Sequence, residues 1–298
     1  IMSGQLKEVR ERITSVKSTQ QITKAMKMVS AAKLRKAQQA ITEMRPYADR
    51  LNKMLKNILS NLEGGANTSF GVEREVVNVA IGIVTSSKGL CGAFNANITK
   101  AAIAKIEGEY ADQAAKGNVT IVGLGKKGFE ALKKKYPNLK FVNEHVGIFS
   151  DLTFDAISAG STHLMDGFLD GTYDKVEVSY GKFKNAALQF PQCVQYLPVP
   201  KMEKVEGASK TKADYIFEPG KEELLEQLVP SILQTTFQKY VLDTHASEHG
   251  ARMTAMDAAT ENAEELIKDL KISYNKARQE AITKELSEIV GGAAALAG

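Results

Sequence analysis

Three stretches of the sequence carry residue types at spacings that could do chemistry. Gly123-Leu124-Gly125-Lys126-Lys127-Gly128 spells G-x-G-x-x-G, follows a β-rich run, opens a helical one, and is trailed 16 residues later by Glu144. In that context glycine amides at a helix N-terminus can cradle a dinucleotide pyrophosphate, while the acid holds a ribose hydroxyl. The same glycines also suit any tight strand-to-helix turn. His245, Glu248 and His249 fit H-x-x-E-H, which can set two imidazoles on one helical face as metal ligands beside a Glu base. No third ligand is identifiable, so paired interface histidines are the competing reading. Ser86 to Gly92 contains Cys91, a potential nucleophile with no His or acid evidently paired to it. A glycine-rich turn around a small buried thiol fits this stretch better.

The elements that must position these residues are two long helices and an α/β core. Residues 2–62 read as one helix, with apolar positions at Leu6, Val9, Ile13 and Val16, then Ile22, Met26 and Val29, then Met44, Ala48, Leu51, Leu55, Ile58 and Leu62. The last six alternate spacings of four and three, which is a heptad seam. Pro46 predicts a kink or a break one turn earlier, and Gly64 and Gly65 predict the helix end. Residues 76–198 change character: runs at 76–84, 119–122, 139–142, 173–180 and 187–197 read as strands, separated by helical stretches near 94–116, 126–136 and 153–169. The last two strands adjoin without a helix, which predicts a mixed sheet. Pro198, Pro200 and the polar stretch Lys201–Asp214 read as an exit linker.

From Lys221 to about Val290 the chain reads as helical again. Met253, Met256, Thr260, Ala263, Ile267, Leu270, Tyr274, Ala277 and Ala281 step by three and four throughout. At about 1.5 Å per residue this helix would be on the order of 100 Å long, too long to lie inside a compact domain. The expected fold is α/β plus long α: an antiparallel coiled coil of N- and C-terminal helices with a central Rossmann-like α/β domain. The expected divisions are 1–63, 76–200 and 221–298. The longer second helix should reach past its partner. Its tip, Ile289 to Gly298, has no charged side chain, which fits either insertion into a sleeve or a frayed end.

Composition excludes several classes. The chain of 298 residues is 43% hydrophobic and 25% charged, so it can bury a core. Cys91 and Cys193 lie far apart with no CxxC partner, against a disulfide framework or a zinc cluster. No apolar run nears the roughly 20 residues that span a bilayer. The net charge of +4 hides an uneven distribution. Residues 1–62 hold thirteen Lys/Arg against four acids, a net of +9, leaving −5 for the rest. No acid occurs between Arg12 and Glu43. This basic collar fits nucleic-acid phosphates, an acidic protein surface, or a solvated helix face. The absence of aromatics from residues 2–46 argues against nucleic acid.

Residues at both ends then carry a family likeness. Ile22-Thr23-Lys24-Ala25-Met26-Lys27-Met28-Val29-Ser30-Ala31-Ala32-Lys33 resembles the N-terminal helix of the γ subunits of F-type ATP synthases. Ser247-Glu248-His249-Gly250-Ala251-Arg252-Met253-Thr254-Ala255-Met256 and Tyr274-Asn275-Lys276-Ala277-Arg278-Gln279 resemble their C-terminal helix, and Ile282, Thr283, Glu285, Glu288, Gly292, Ala293 and Ala295 match the terminal signature. One loop departs: Ser87-Lys88-Gly89-Leu90-Cys91-Gly92-Ala93 stands where the family usually reads Asp-Arg-Gly-Leu-Cys-Gly-Gly.

The resemblance implies a central-stalk rotor that couples ion flow through the membrane sector to ATP synthesis or hydrolysis in β subunits, without catalysis, cofactor or metal of its own. It implies one copy inside an α/β hexamer, with ε and the c-ring at its foot and no nucleic acid. The complex would sit peripherally on the cytoplasmic face of a bacterial plasma membrane, or the matrix face of the mitochondrial inner membrane. By similarity, Met26 and Lys27 meet an acidic lever of β, Arg278 and Gln279 a catch loop of β, and Arg252, Glu285 and Glu288 are further β contacts. Phe217 and Glu218 match the foot on the c-ring. The alternative is an NAD-dependent enzyme built on Gly123 to Gly128.

Overall fold

The computed structural model describes residues 2–60, 68–199 and 221–297. The predicted helix end at Gly64 and Gly65, the linker Lys201–Asp214, Phe217 and Glu218 lie outside the described residues. The elements in chain order are α1 (Met2–Ser60), β1 (Val79–Val84), α2 (Phe94–Glu107), α3 (Ala111–Ala115), β2 (Val119–Leu124), α4 (Lys126–Lys135), β3 (Lys140–Val142), α5 (Phe154–Leu169), β4 (Lys175–Phe183), β5 (Gln189–Leu197) and α6 (Lys221–Ala297). Two compact units share both long helices: Ile1–Ser30 with Arg252–Gly298, and Ala31–Ala251.

In the second unit the five strands are ordered β3-β2-β1-β4-β5. The β3, β2, β1 and β4 pairings are parallel and β4–β5 is antiparallel, which is the mixed sheet expected from two strands adjoining without a helix. The alternation of side chains along a strand divides the core in two. On β1, Val79, Ile81 and Ile83 face a cluster with Phe94, Ile98, Ala102 and Ile106 of α2 and Leu132 of α4. Ala80 and Val84 face the other cluster, with Leu164 and Phe168 of α5 and Leu233, Phe237 and Val241 of α6. Every β1 residue is buried, as a strand covered by helices on both faces must be.

Two local details differ from the expectation. The helix foreseen over 94–116 is interrupted at Gly108, where the backbone leaves helical values before α3 resumes at Ala111. The helix through Pro46 does not break: α1 runs on to Ser60, and α6 likewise runs through Pro230. Proline removes one amide and crowds the carbonyl a turn earlier, and an otherwise unbroken helix accommodates it.

Further along α6, two side-chain hydroxyls fasten the helix to the backbone of β4. Gly181 of β4 donates its N–H to Thr244 Oγ1 at 3.2 Å, and its carbonyl accepts from Ser247 Oγ at 3.0 Å. Both hydroxyls are fully buried. Gly250, one turn on, passes so close to Ala186 that a β-carbon would lie 3.1 Å from its backbone. The Ser247-to-Gly250 portion of the recognised motif therefore lies where a helix meets a strand end.

Candidate functional site

The glycine motif is a packing device. Gly125 has φ +120°, and a β-carbon there would sit 1.7 Å from the Thr85 carbonyl oxygen. A β-carbon on Gly128 would meet the side chains of Thr85 and Ile83 below 3 Å, and one on Gly123 would meet Phe129 and Val146. Only glycine fits these positions, because β1 and β2 approach the start of α4 so closely. The amides a pyrophosphate would need are already used. Gly128 N–H donates to Thr85 Oγ1 at 2.9 Å, and Lys127 N–H donates to the Ser86 carbonyl at 3.1 Å. Glu144 lies with His145 and His163. The dinucleotide reading is thereby overturned.

The other two motifs also resolve into structure. Asn95 Nδ2 donates to Cys91 Sγ at 3.2 Å and to Ser86 Oγ at 2.7 Å, and Cys91 is 2% exposed. In the same loop Leu90, which keeps the family pattern, has φ +61° and lies exposed. Burial first and the Glu177 carboxylate second push the Cys193 thiol up to about 12, away from the thiolate that nucleophilic chemistry needs. In the H-x-x-E-H stretch the two Nε2 atoms stand 3.1 Å apart, and the His245 ring stacks on Phe149.

The first unit is a two-helix seam. Arg10 Nη2 donates to Tyr274 Oη at 2.9 Å, Thr23 Oγ1 lies 2.7 Å from Thr260 Oγ1, and Lys27 is ion-paired with Asp257. As the α1 position rises from 10 to 27, its partner falls from 274 to 257, so these segments run antiparallel. From Thr260 onward the buried and half-buried positions of α6, among the described residues, are Thr260, Ala263, Ile267, Leu270, Tyr274, Ala277 and Ala281, in the expected register.

On α1 the register differs from the expectation. The inward positions are Leu6, Val9, Ile13, Val16, Gln20, Thr23, Lys27 and Ser30, with Met26 flanking Lys27. They continue in the second unit as Leu34, Ala37, Ile41, Met44, Ala48 and Leu51. Ile22 and Val29, assigned to the seam by their apolarity, are each 57% exposed, and Met28 is 62% exposed. The alternation of three and four never shifts; it passes through polar residues. An unbroken heptad count from Leu6 would have found Thr23 and Ser30.

The residues singled out by resemblance fall as follows. Met26 is half-buried beside Lys27, whose ammonium is held by Asp257. Arg252 is buried. Arg278, Glu285 and Glu288 line one cleft of about 650 Å³ together with Lys7, Arg10 and Tyr274. Gln279 is exposed on the same helix. Among the described residues no helix is long and apolar enough to cross a membrane.

Comparison with known proteins gives a consistent result over the full chain. The model of the ATP synthase family matches residues 5–296. The ATP synthase gamma chain of Cytophaga hutchinsonii is 53% identical over 293 residues, covering 98% of each chain. That of Flavobacterium johnsoniae is 50% identical, covering 98% of this chain and 99% of the relative. That of Chlorobaculum tepidum is 44% identical over 98% of both. Among solved structures, a chain of the Euglena gracilis mitochondrial ATP synthase OSCP/F1/c-ring assembly is similar in fold, with a TM-score of 0.68 at 22% identity, over 99% of this chain and 95% of that one. A chain of the Tetrahymena thermophila central stalk and c-ring gives a TM-score of 0.52 at 23% identity, over 80% of this chain and 99% of that one.

Proposed function

Because the chain belongs to the ATP synthase γ-chain family, we propose that its paired helices form the rotating core of an F-type complex and that the exposed face around Met26 and Lys27 meets the catalytic β subunits. The γ chain is a non-catalytic subunit, and the central-stalk likeness accounts for the two long helices that an oxidoreductase would leave unexplained. The observation that carries the reading of the face is the exposure of Ile22, Met28 and Val29 among Lys24, Lys27 and Lys33. Apolar side chains clustered on the outward side of the seam invite a partner. The surrounding excess of positive charge specifies an acidic one, since complementary potentials select and orient partners.

The remaining contacts follow from the same family pattern. Arg278 and Gln279 are assigned to a β catch loop, with Arg252, Glu285 and Glu288 as further β contacts. Phe217 and Glu218 are assigned to the c-ring on sequence alone. The complex is placed as one γ per α/β hexamer, with ε at the foot, peripheral to the cytoplasmic face of a bacterial membrane, as suits its bacterial relatives. The test is co-expression with α, β and ε subunits of a close relative. One copy of this chain should enter each hexamer and support ATP-driven proton pumping in membranes carrying the c-ring. Hexamers that form without it, or that hydrolyse ATP with it but never pump, would defeat the assignment.

A further inference from the structure

The donor atoms of Glu144, His145 and His163 all lie within 4.8 Å of one another. Glu144 and His145 stand in the turn that directly follows β3, and His163 projects from α5. That turn is at the carboxyl end of a parallel strand, where open α/β sheets place their ligands. Around one zinc ion with bonds of about 2.0–2.1 Å, tetrahedral ligand atoms sit roughly 3.4 Å apart. A rotamer change of the exposed Glu144 side chain can close the gap between this spacing and the observed one. Two further observations point to a ligand. His145 Nε2 is buried and finds no hydrogen-bond partner among the described residues, an omission that calls for a water or an ion. The rings of His145 and His163 are 5.3 Å apart and tilted by 59°, so neither is stacked shut against the other.

We propose that Glu144, His145 and His163 form a binding site for a borderline divalent cation of the zinc type, pinning the turn after β3 to α5. Two imidazoles and one carboxylate suit zinc and disfavour magnesium, which prefers oxygen ligands. Three protein donors would leave a fourth tetrahedral position for water. Tyr173 Oη lies 3.5 Å from His163 Nε2.

The site is independent of the rotor assignment and is tested on the untagged full-length chain by calorimetric titration with Zn²⁺, alongside thermal unfolding. Saturable binding of one zinc ion, a midpoint that rises with zinc concentration, and no response to Mg²⁺ are expected. Glu144→Gln, at an exposed position that leaves the fold intact, should weaken binding at least tenfold. His163→Ala should abolish it, and a His245→Ala/His249→Ala pair should leave it unchanged. Zinc affinity unaffected by Glu144→Gln and His163→Ala, loss only on removing His245 and His249, or no saturable binding at all would each overturn the proposal.

Discussion

The hydroxyl oxygens of Thr23 and Thr260 meet at 2.7 Å across the seam between α1 and α6. Each hydroxyl also reaches its own helix, Thr23 to the Gln20 carbonyl at 3.0 Å and Thr260 to the Met256 carbonyl at 2.7 Å. Two hydroxyls supply two protons for three contacts, so one contact always lacks a proton. With Ser30 buried nearby and Lys27 paired to Asp257, this layer marks the polar interruption of an otherwise apolar heptad. Polar residues at inward positions of a coiled coil specify register, because a slipped pairing buries them without partners.

Replacing both threonines should therefore cost less than the two single replacements combined. Thr23→Val or Thr260→Val alone is expected to destabilise the chain by about 1 kcal/mol, with the double variant costing less than the two singles together. A double-mutant cycle by urea unfolding measures the coupling. Strict additivity would show that the contact contributes nothing.

The pair of Lys27 and Asp257 is half exposed, with side-chain exposures of 39% and 44%. Asp257→Asn should consequently change stability by less than about 1 kcal/mol. It releases a cation on the face assigned to β, so ATP hydrolysis by the assembled complex should become more sensitive to ionic strength than in the wild type. Equal salt profiles for the two complexes would place the action of Lys27 inside the γ chain.

Ser247 illustrates a different role for a motif residue. Its hydroxyl is fully buried against the Gly181 carbonyl, so Ser247→Ala leaves that acceptor without its side-chain donor. A loss of about 1–3 kcal/mol in unfolding free energy is expected, with hydrogen exchange rising first where α6 meets β4. Unchanged stability would show that strand pairing alone satisfies that carbonyl.

Gly125→Ala should be among the most damaging substitutions in the α/β unit. The new β-carbon would overlap the Thr85 carbonyl oxygen at a φ that L-residues avoid. A loss of more than about 4 kcal/mol, seen as insolubility or a collapsed thermal midpoint, is expected. Titrating the wild-type chain with NADH should meanwhile produce no fluorescence transfer, since the amides of Lys127 and Gly128 are occupied.

Asp243 makes stability depend on pH. Burial raises its carboxyl to about 6, against the opposing pull of Lys239, Lys182 and Arg45. The folded state therefore holds a proton that the unfolded chain releases near its ordinary 3.8. Stability from this group is fully present below about pH 4 and is lost as pH rises through about 6. Asp243→Asn should remove that fall and gain roughly 3 kcal/mol at pH 7, by the conversion of about 1.4 kcal/mol per pH unit. Denaturation at a series of pH values checks it, and parallel profiles for the two proteins would refute the shift.

The long helices, the mixed sheet and the α6 register could be read from the sequence because each rests on local periodicity: three and four for a helix, two for a strand. The family likeness was legible for the same reason, its motifs being contiguous runs on those helices. Hydrophobicity misled in one stretch. Ile22 and Val29 looked like seam residues because they are apolar, yet they face outward while Gln20, Thr23, Lys27 and Ser30 face the partner helix. Which face of an evenly mixed helix turns inward depends on the partner's side chains, here Thr260 and Asp257, more than two hundred residues away. The glycine motif was ambiguous for a related reason. Its spelling is compatible with a phosphate cradle, and only the approach of Thr85 from a neighbouring strand shows its amides to be taken. Glu144, His145 and His163, separated by a turn and half a helix, became a cluster only when β3 and α5 were packed together.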